Sequence, residues 1–194
     1  MLKIIFTGPE ASGKTTLATA IHRYWIWSAM AKEFARFYLS EKMRTQGTHA
    51  YAYEELTNIA KGQRFVEDNA AHNTEKLLIC DTDLITLKIW SQEVFNQCDN
   101  RILDMLAGQF NDDNYYWHQR HYFLCSPEEI EWQLDPLREN PFDRDRLFDI
   151  YEKELQSYNQ NYTILRGGFN DRYYTALGKI DEMLLSPNYT PFFD

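Results

Sequence analysis

The segment MLKIIFTGPEASGKTTLATA, residues 1–20, decides how the rest of the chain is read. An apolar run, Leu2 to Thr7, enters Gly8-Pro9-Glu10-Ala11-Ser12-Gly13-Lys14-Thr15, and a stretch with Leu17, Ala20, Ile21 and Tyr24 at helical spacing follows. The pattern is glycine, four residues, then Gly-Lys-Thr. Glycines so placed let successive backbone N–H groups curl around a phosphate while a helix N-terminus points at it. The plainer alternative is a strand-to-helix loop. The strand before and the helix after are the context that favours the phosphate site.

In that reading the N–H groups of residues 10 to 15 cradle the phosphates of ATP, Lys14 reaches the terminal ones and the Thr15 hydroxyl ligates Mg²⁺. The donor site is assigned to Gly8, Glu10, Ala11, Ser12, Gly13, Lys14, Thr15 and Thr16. A carboxylate should stand beside the metal. Asp81 fits, because the apolar run Leu77 to Cys80 puts it at the C-terminal end of a strand, where open α/β sheets hold ligands. Its alternative is a helix N-cap, a task that Thr82 or Asp83 performs equally well.

Composition bounds the function. With 44% hydrophobic and 25% charged residues in 194, one soluble domain with a full core is expected. Twenty basic against 29 acidic residues give a formal net charge of -9, which repels a nucleic-acid backbone and argues against such a partner. Cys80, Cys98 and Cys125 are far apart, which fits neither a disulfide framework nor a CxxC metal site and points to a reducing compartment. Neither a signal segment nor a membrane span is expected, so the cytoplasm is the expected location.

Further strands are predicted at Trp27 to Ala31, Leu77 to Asp81, His121 to Cys125 and Tyr162 to Leu165. Helices are predicted near 14–24, 33–44, 51–75, 84–97, 99–110, 128–134, 144–159 and 171–185. Strand and helix in alternation predict an α/β fold: about five parallel strands with helices on both faces, in a single domain over 1–194. No Asn-Lys-x-Asp guanine motif is present, and a chain this compact points to small-molecule phosphoryl transfer rather than to a motor. Kinases of that kind close an arginine-bearing lid over the donor. The charged stretch 132–146, with Arg138, Arg144 and Arg146, suits a lid; a solvated face of ion pairs is the alternative.

For the acceptor, Glu33 and Arg36 share a helix face, as catalytic pair or as surface ion pair. Gln63 lies on the inward stripe of its helix with Leu56, Ile59, Val66 and Ala70, so its amide must find partners, in a substrate hydroxyl or in a backbone carbonyl. Asp81-Thr82-Asp83 adds carboxylates nearby, and an aromatic face beside them would suit a flat cationic ring.

These segments together resemble the nicotinamide riboside kinase domain of NadR-type proteins: the glycine loop through Leu17, Glu33-Phe34-Ala35-Arg36, the Gln63 helix, Asp81-Thr82-Asp83-Leu84, and Trp132 through Asp135 to Arg138. The resemblance covers nearly the whole chain in order. It implies ATP-dependent phosphorylation of the 5′-hydroxyl of nicotinamide riboside, giving nicotinamide mononucleotide. Regions like the helix-turn-helix and adenylyltransferase parts of NadR are not found, and Pro136 stands where the family pattern has Gly. Combined with the reading of the residues, the expected machinery is Lys14, Arg138 and Arg144 against the developing charge, with Glu33 as base and Asp83 as the second candidate. Arg36, Gln63, Trp132 and Asp135 join Glu33 and Asp83 around the acceptor. Another nucleoside or metabolite as acceptor, or a nucleotide-dependent ATPase without one, remain the competing readings.

Overall fold

Leu2, Ile4 and Phe6 lie on one face of their strand and Ile5 on the other, and all four are fully buried. A strand covered on both sides reads as a continuous apolar run, and this one is the centre of the sheet. The computed structural model describes residues 1–111, 119–132, 135, 137 and 142–186. In chain order the elements are β1 (Leu2–Thr7), α1 (Lys14–Tyr24), β2 (Ala29–Ala31), α2 (Phe34–Gln46), α3 (Glu55–Ala71), β3 (Leu77–Asp81), α4 (Leu84–Phe95), α5 (Asn100–Asn111), β4 (Gln119–Cys125), α6 (Arg144–Ser157), β5 (Tyr162–Leu165) and α7 (Phe169–Leu184).

The sheet has five strands in the order β2-β3-β1-β4-β5, all parallel. Helices α1 and α7 cover one face: Leu17, Ile21, Ala176 and Ile180 pack with Leu2, Ile4, Phe6, Leu77, Ile79 and Phe123. On the other face Leu56, Ile59, Leu84, Ile102, Leu106 and Leu155, from α3 to α6, pack with Ile5, Leu78, Tyr122 and Leu124. Crossover connections in a parallel sheet place the ligand crevice outside the carboxyl ends of the strands, where strand order reverses about β1.

The expected α/β architecture is therefore the observed one, with two local corrections. The strand expected over Trp27 to Ala31 forms only at Ala29–Ala31. The helix expected over 128–134 is absent from its described part, residues 128–132, which turn at Glu129 with φ 62°. The cause is competition for carbonyls. Arg144 donates to the oxygens of Pro127 and Ile130, and Arg172 donates to that of Glu128, so side chains occupy acceptors a helix would have used.

One charged pair lies inside the core. Lys3, on the same face of β1 as Ile5, donates through Nζ to Glu67 Oε2 of α3 at 2.7 Å, and both side chains are fully buried. Removing one partner strands a buried charge. Lys3→Met is expected to cost about 3–5 kcal/mol, read by chemical denaturation. Lys3→Met/Glu67→Gln, which leaves no buried charge, should recover most of that loss; a single variant as stable as the wild type would show that the pair is not a stability element.

Candidate active site

The phosphate loop is shaped by backbone. Gly8 has φ 131°, and a Cβ there would lie 2.7 Å from the carbonyl oxygen of Cys125, so only glycine lets the loop leave β1 against the end of β4. Ala11 at φ 50° and Gly13 at φ 84° turn the chain left-handed on both sides of Ser12. The Ser12 hydroxyl donates to Pro9 O at 2.8 Å, closing the loop on itself. Lys14 Nζ donates to Gly8 O and Pro9 O at 2.9 and 2.7 Å, which stretches it across the mouth of the loop. Glu10 to Leu17 line one side of a cavity of about 280 Å³, completed by Glu33, Arg36, Ile130, Glu131, Leu137, Phe169 and Arg172.

Asp81 ends β3 next to this loop and is 2% exposed. Burial raises its pKa, against which a hydrogen bond from Thr15 and then the charge of Lys14 favour the carboxylate. Its Oδ1 is buried without a hydrogen-bond partner. An orphaned buried carboxylate oxygen beside a threonine hydroxyl is a donor set that suits Mg²⁺, which takes few protein oxygens and completes its shell with water and phosphate. Among the described residues there is no cluster of three or more His, Cys, Asp or Glu that would hold a metal without that help.

A second cavity of about 110 Å³ adjoins the first, and the two share Glu10, Lys14, Glu33, Arg36 and Leu137. Its far wall is Thr86, Ile89, Trp90, Glu93 and Val94 of α4 with Leu147 and Tyr151 of α6. Glu33 stands at the N-terminus of α2, its pKa raised by burial and then by the charge of Asp81, against Lys14 and Arg36. Arg36 lies 3.7 Å from the Glu33 carboxylate and donates to Asp135 Oδ2 at 2.7 Å. The predicted Glu33 and Arg36 pair thus exists, at the junction of both cavities.

Other expected site residues lie elsewhere. Gln63 is buried and structural: Oε1 accepts from Phe34 N at 2.9 Å and Nε2 donates to Glu67 Oε1 at 3.0 Å. Gly62 beside it has no room for a Cβ, which would lie 2.0 Å from the Phe34 ring, so α3 seats the start of α2. Asp83 is a correction to its assignment as second base. It caps α4 by accepting from Ile85 N, and its other oxygen accepts from Tyr122 and Gln109 at 2.6 and 2.8 Å, fully buried and off both cavities. That cap leaves Asp81 to the loop. Arg144 donates to Ala11 O and Ile130 O at 3.3 and 2.9 Å, with its guanidinium 5.9 Å from the Trp132 ring; neither residue lines the two cavities. Arg138 and Pro136 lie outside the described residues.

Residues that the sequence reading missed are Arg172 and Phe169 at the donor cavity and Thr86, Trp90, Glu93 and Tyr151 at the second. Some signal existed. Thr86, Trp90 and Glu93 recur at helical spacing just after Asp81, and Arg172 interrupts the apolar inner stripe of α7.

A glycine loop at the carboxyl end of a central parallel strand, with a carboxylate closing the neighbouring strand, defines a P-loop nucleotide-binding domain, and the sheet is that of the P-loop kinase fold. The chain belongs to the AAA_28 family, described as an AAA domain, which matches residues 3–172. No curated protein sequence matches it. Among solved structures it is similar to NadR in complex with NR, at TM-score 0.67 and 17% identity over 98% of this chain and 53% of that one. It is also similar to NadR in complex with NAD and AMP-PNP, at 0.64 and 15%, over 99% and 51%. The chain therefore spans about half the length of these NadR proteins. Deoxyadenosine kinase from M. mycoides with bound dATP is similar at 0.58 and 12%, over 93% and 100%. At these identities the likeness establishes the fold. No helix among the described residues is long and apolar enough to cross a membrane.

The orphaned carboxylate yields a stability test. Because folding raises the pKa of Asp81, its ionised form opposes folding, and stability is lost as pH rises through that titration. Asp81→Asn should therefore melt at or above the wild-type temperature near neutral pH. The difference should vanish as pH falls into the range where carboxylates protonate. A variant that melts well below wild type at neutral pH would make Asp81 a structural group.

Proposed function

We propose that the chain is an ATP-dependent kinase that phosphorylates a hydroxyl of a nucleoside-type acceptor, with nicotinamide riboside the acceptor that the NadR likeness suggests. The observation that carries this reading is the junction: a phosphate-loop cavity and a second, aromatic cavity meet at Lys14, Glu33 and Arg36. A nucleotide switch needs only the first. Trp90 and Tyr151 with the carboxylates of Glu33 and Glu93 give the second cavity the chemistry of a pyridinium site.

In the mechanism, the loop N–H groups and Lys14 hold the donor phosphates, and Thr15 with Asp81 would hold Mg²⁺, which neutralises charge on the phosphate oxygens. Glu33 orients the acceptor hydroxyl and takes its proton as the oxygen attacks the γ-phosphorus. The bond from that phosphorus to the bridging oxygen breaks and ADP leaves. Arg36, tied to Asp135, fixes Glu33 and adds positive charge at the junction. The raised pKa keeps Glu33 basic enough to accept the proton. The lid reading of 132–146 within a single kinase domain belongs to the same proposal, supported by the ion pair that ties Asp135 to Arg36 at the cavity junction. Three unpaired cysteines support a reducing, cytoplasmic setting.

The AAA description of the family favours a second reading, an ATPase with no acceptor. Transfer measured with and without nicotinamide riboside separates them: acceptor-dependent phosphorylation is expected, and ATP hydrolysis indifferent to any acceptor would sink the kinase. Within the kinase reading, Glu33→Gln should keep MgATP affinity while transfer slows by about 10² to 10⁴. Phosphoryl transfer relies mostly on positioning, so the lower end of that range is expected. Lys14→Ala should lose both donor binding and transfer. The acid limb of kcat/KM should fall above the ordinary glutamate range, since the raised pKa of Glu33 must be passed before the base is ionised. An acid limb in the ordinary range, or unchanged transfer in the Gln variant, would return the Glu33 and Arg36 pair to a structural role.

A further inference from the structure

Arg172 is a cation where the fold asks for an apolar side chain. The other buried residues on its stripe of α7 are Ala176, Leu177 and Ile180, and Arg172 itself is 1% exposed. Among the described residues no carboxylate lies within ion-pair distance of it, although such a charge is normally buried only with a partner. Its partners are main-chain carbonyls. Nε donates to Gly167 O at 2.6 Å, Nη1 to Ser12 O at 3.1 Å and Ser126 O at 2.8 Å, and Nη2 to Glu128 O at 2.7 Å. One guanidinium thus joins the phosphate loop, the chain leaving β4 and the chain leaving β5, and it forms part of the donor-cavity wall.

The bond to Ser12 has a geometric consequence. In a planar trans peptide the carbonyl and the following N–H point opposite ways. Fixing Ser12 O toward Arg172 therefore fixes the Gly13 N–H the other way. Arg144 does the same for the preceding peptide, donating to Ala11 O at 3.3 Å and thereby setting the Ser12 N–H. Successive N–H groups aligned around left-handed residues form an anion-binding nest, and here the alignment is set from outside by two arginines. Burial works against the Arg172 cation, so an anion arriving in the cavity relieves an existing cost.

We propose that Arg172 is the positioning residue of the donor site, holding the Ser12 carbonyl so that the loop N–H groups converge, and biasing the cavity toward polyphosphate over uncharged nucleoside. This rests on reading the cavity as the donor-phosphate site. Lysine in its place keeps the charge but cannot present a planar fork to three segments at once.

The test compares calorimetric binding of ATP, inorganic tripolyphosphate and adenosine by the full chain and by Arg172→Lys and Arg172→Met, with melting curves taken without ligand. Arg172→Lys should stay folded and bind ATP and tripolyphosphate about tenfold more weakly, and Arg172→Met about a hundredfold, the scale of lost charge-assisted bonds. Adenosine affinity should be unchanged in both. Should the methionine variant fail to fold, the lysine variant decides. A lysine variant with wild-type affinity for ATP and tripolyphosphate overturns the proposal, as does an equal loss for adenosine, which would mark a general structural defect. Binding is read without an acceptor, so a wild-type protein that binds ATP but transfers nothing overturns the kinase reading alone. A wild-type protein that binds neither ATP nor tripolyphosphate overturns both.

Discussion

The fully buried pair between Lys3 and Glu67 is the constraint from which both halves of the site are hung. A charge in the middle of a sheet face is tolerable only when its partner is fixed, and Glu67 is fixed by Gln63 on the next turn of α3. Gln63 in turn accepts from the backbone N–H of Phe34, the first residue of α2. Four residues thus run from the central strand to the peptide that follows Glu33. The same strand ends in the phosphate loop. Donor loop and candidate base are consequently referenced to one rigid element, which is what a transfer reaction sensitive to about an ångström of misplacement requires.

A second buried network divides the labour in Asp81-Thr82-Asp83. Asp83 is consumed by structure, accepting hydrogen bonds from Ile85 N, Gln109 and Tyr122, the last of these on β4. It starts α4 and ties it to the sheet. Asp81, two residues earlier and next to Thr15, keeps an oxygen unpartnered. Positive φ at Thr82, 69°, marks the turn between the two roles. Adjacent carboxylates therefore differ in task because they differ in where their lone pairs are already engaged.

Much of this was legible in the sequence because it is encoded locally. Periodicity located the five strands, and the spacing Gly8, Gly13, Lys14, Thr15 identified the loop without reference to distant residues. The stretch 128–132 was misread because its helix-like sequence competes with Arg144 and Arg172, which are remote in the chain and become neighbours only on folding. Gln63 was recognised as a buried amide, yet nothing local distinguishes a substrate hydroxyl from the Phe34 N–H. Trp90, Glu93 and Tyr151 escaped because a cavity wall assembled from two helices has no one-dimensional pattern.

The excess of acidic residues and the phosphate loop are reconciled by distance. A net charge of -9 repels an extended polyanion that must approach a large surface. Surface charges farther than the Debye length, about 8 Å at physiological salt, are largely screened. A small anion inside the donor cavity responds instead to Lys14, Arg36 and Arg172 and to the loop N–H groups, in surroundings where screening is weak. Across the junction the second cavity adds Glu93, which is ion-paired with Arg146, to the shared Glu10, Lys14, Glu33 and Arg36. The two cavities thus share one charged junction and differ in what is added to it, Glu131 and Arg172 on the phosphate-loop side and Glu93 on the other. What sets the first cavity apart is therefore less its net charge than the run of loop residues from Glu10 to Leu17 along its wall, whose N–H groups can meet an anion at close range.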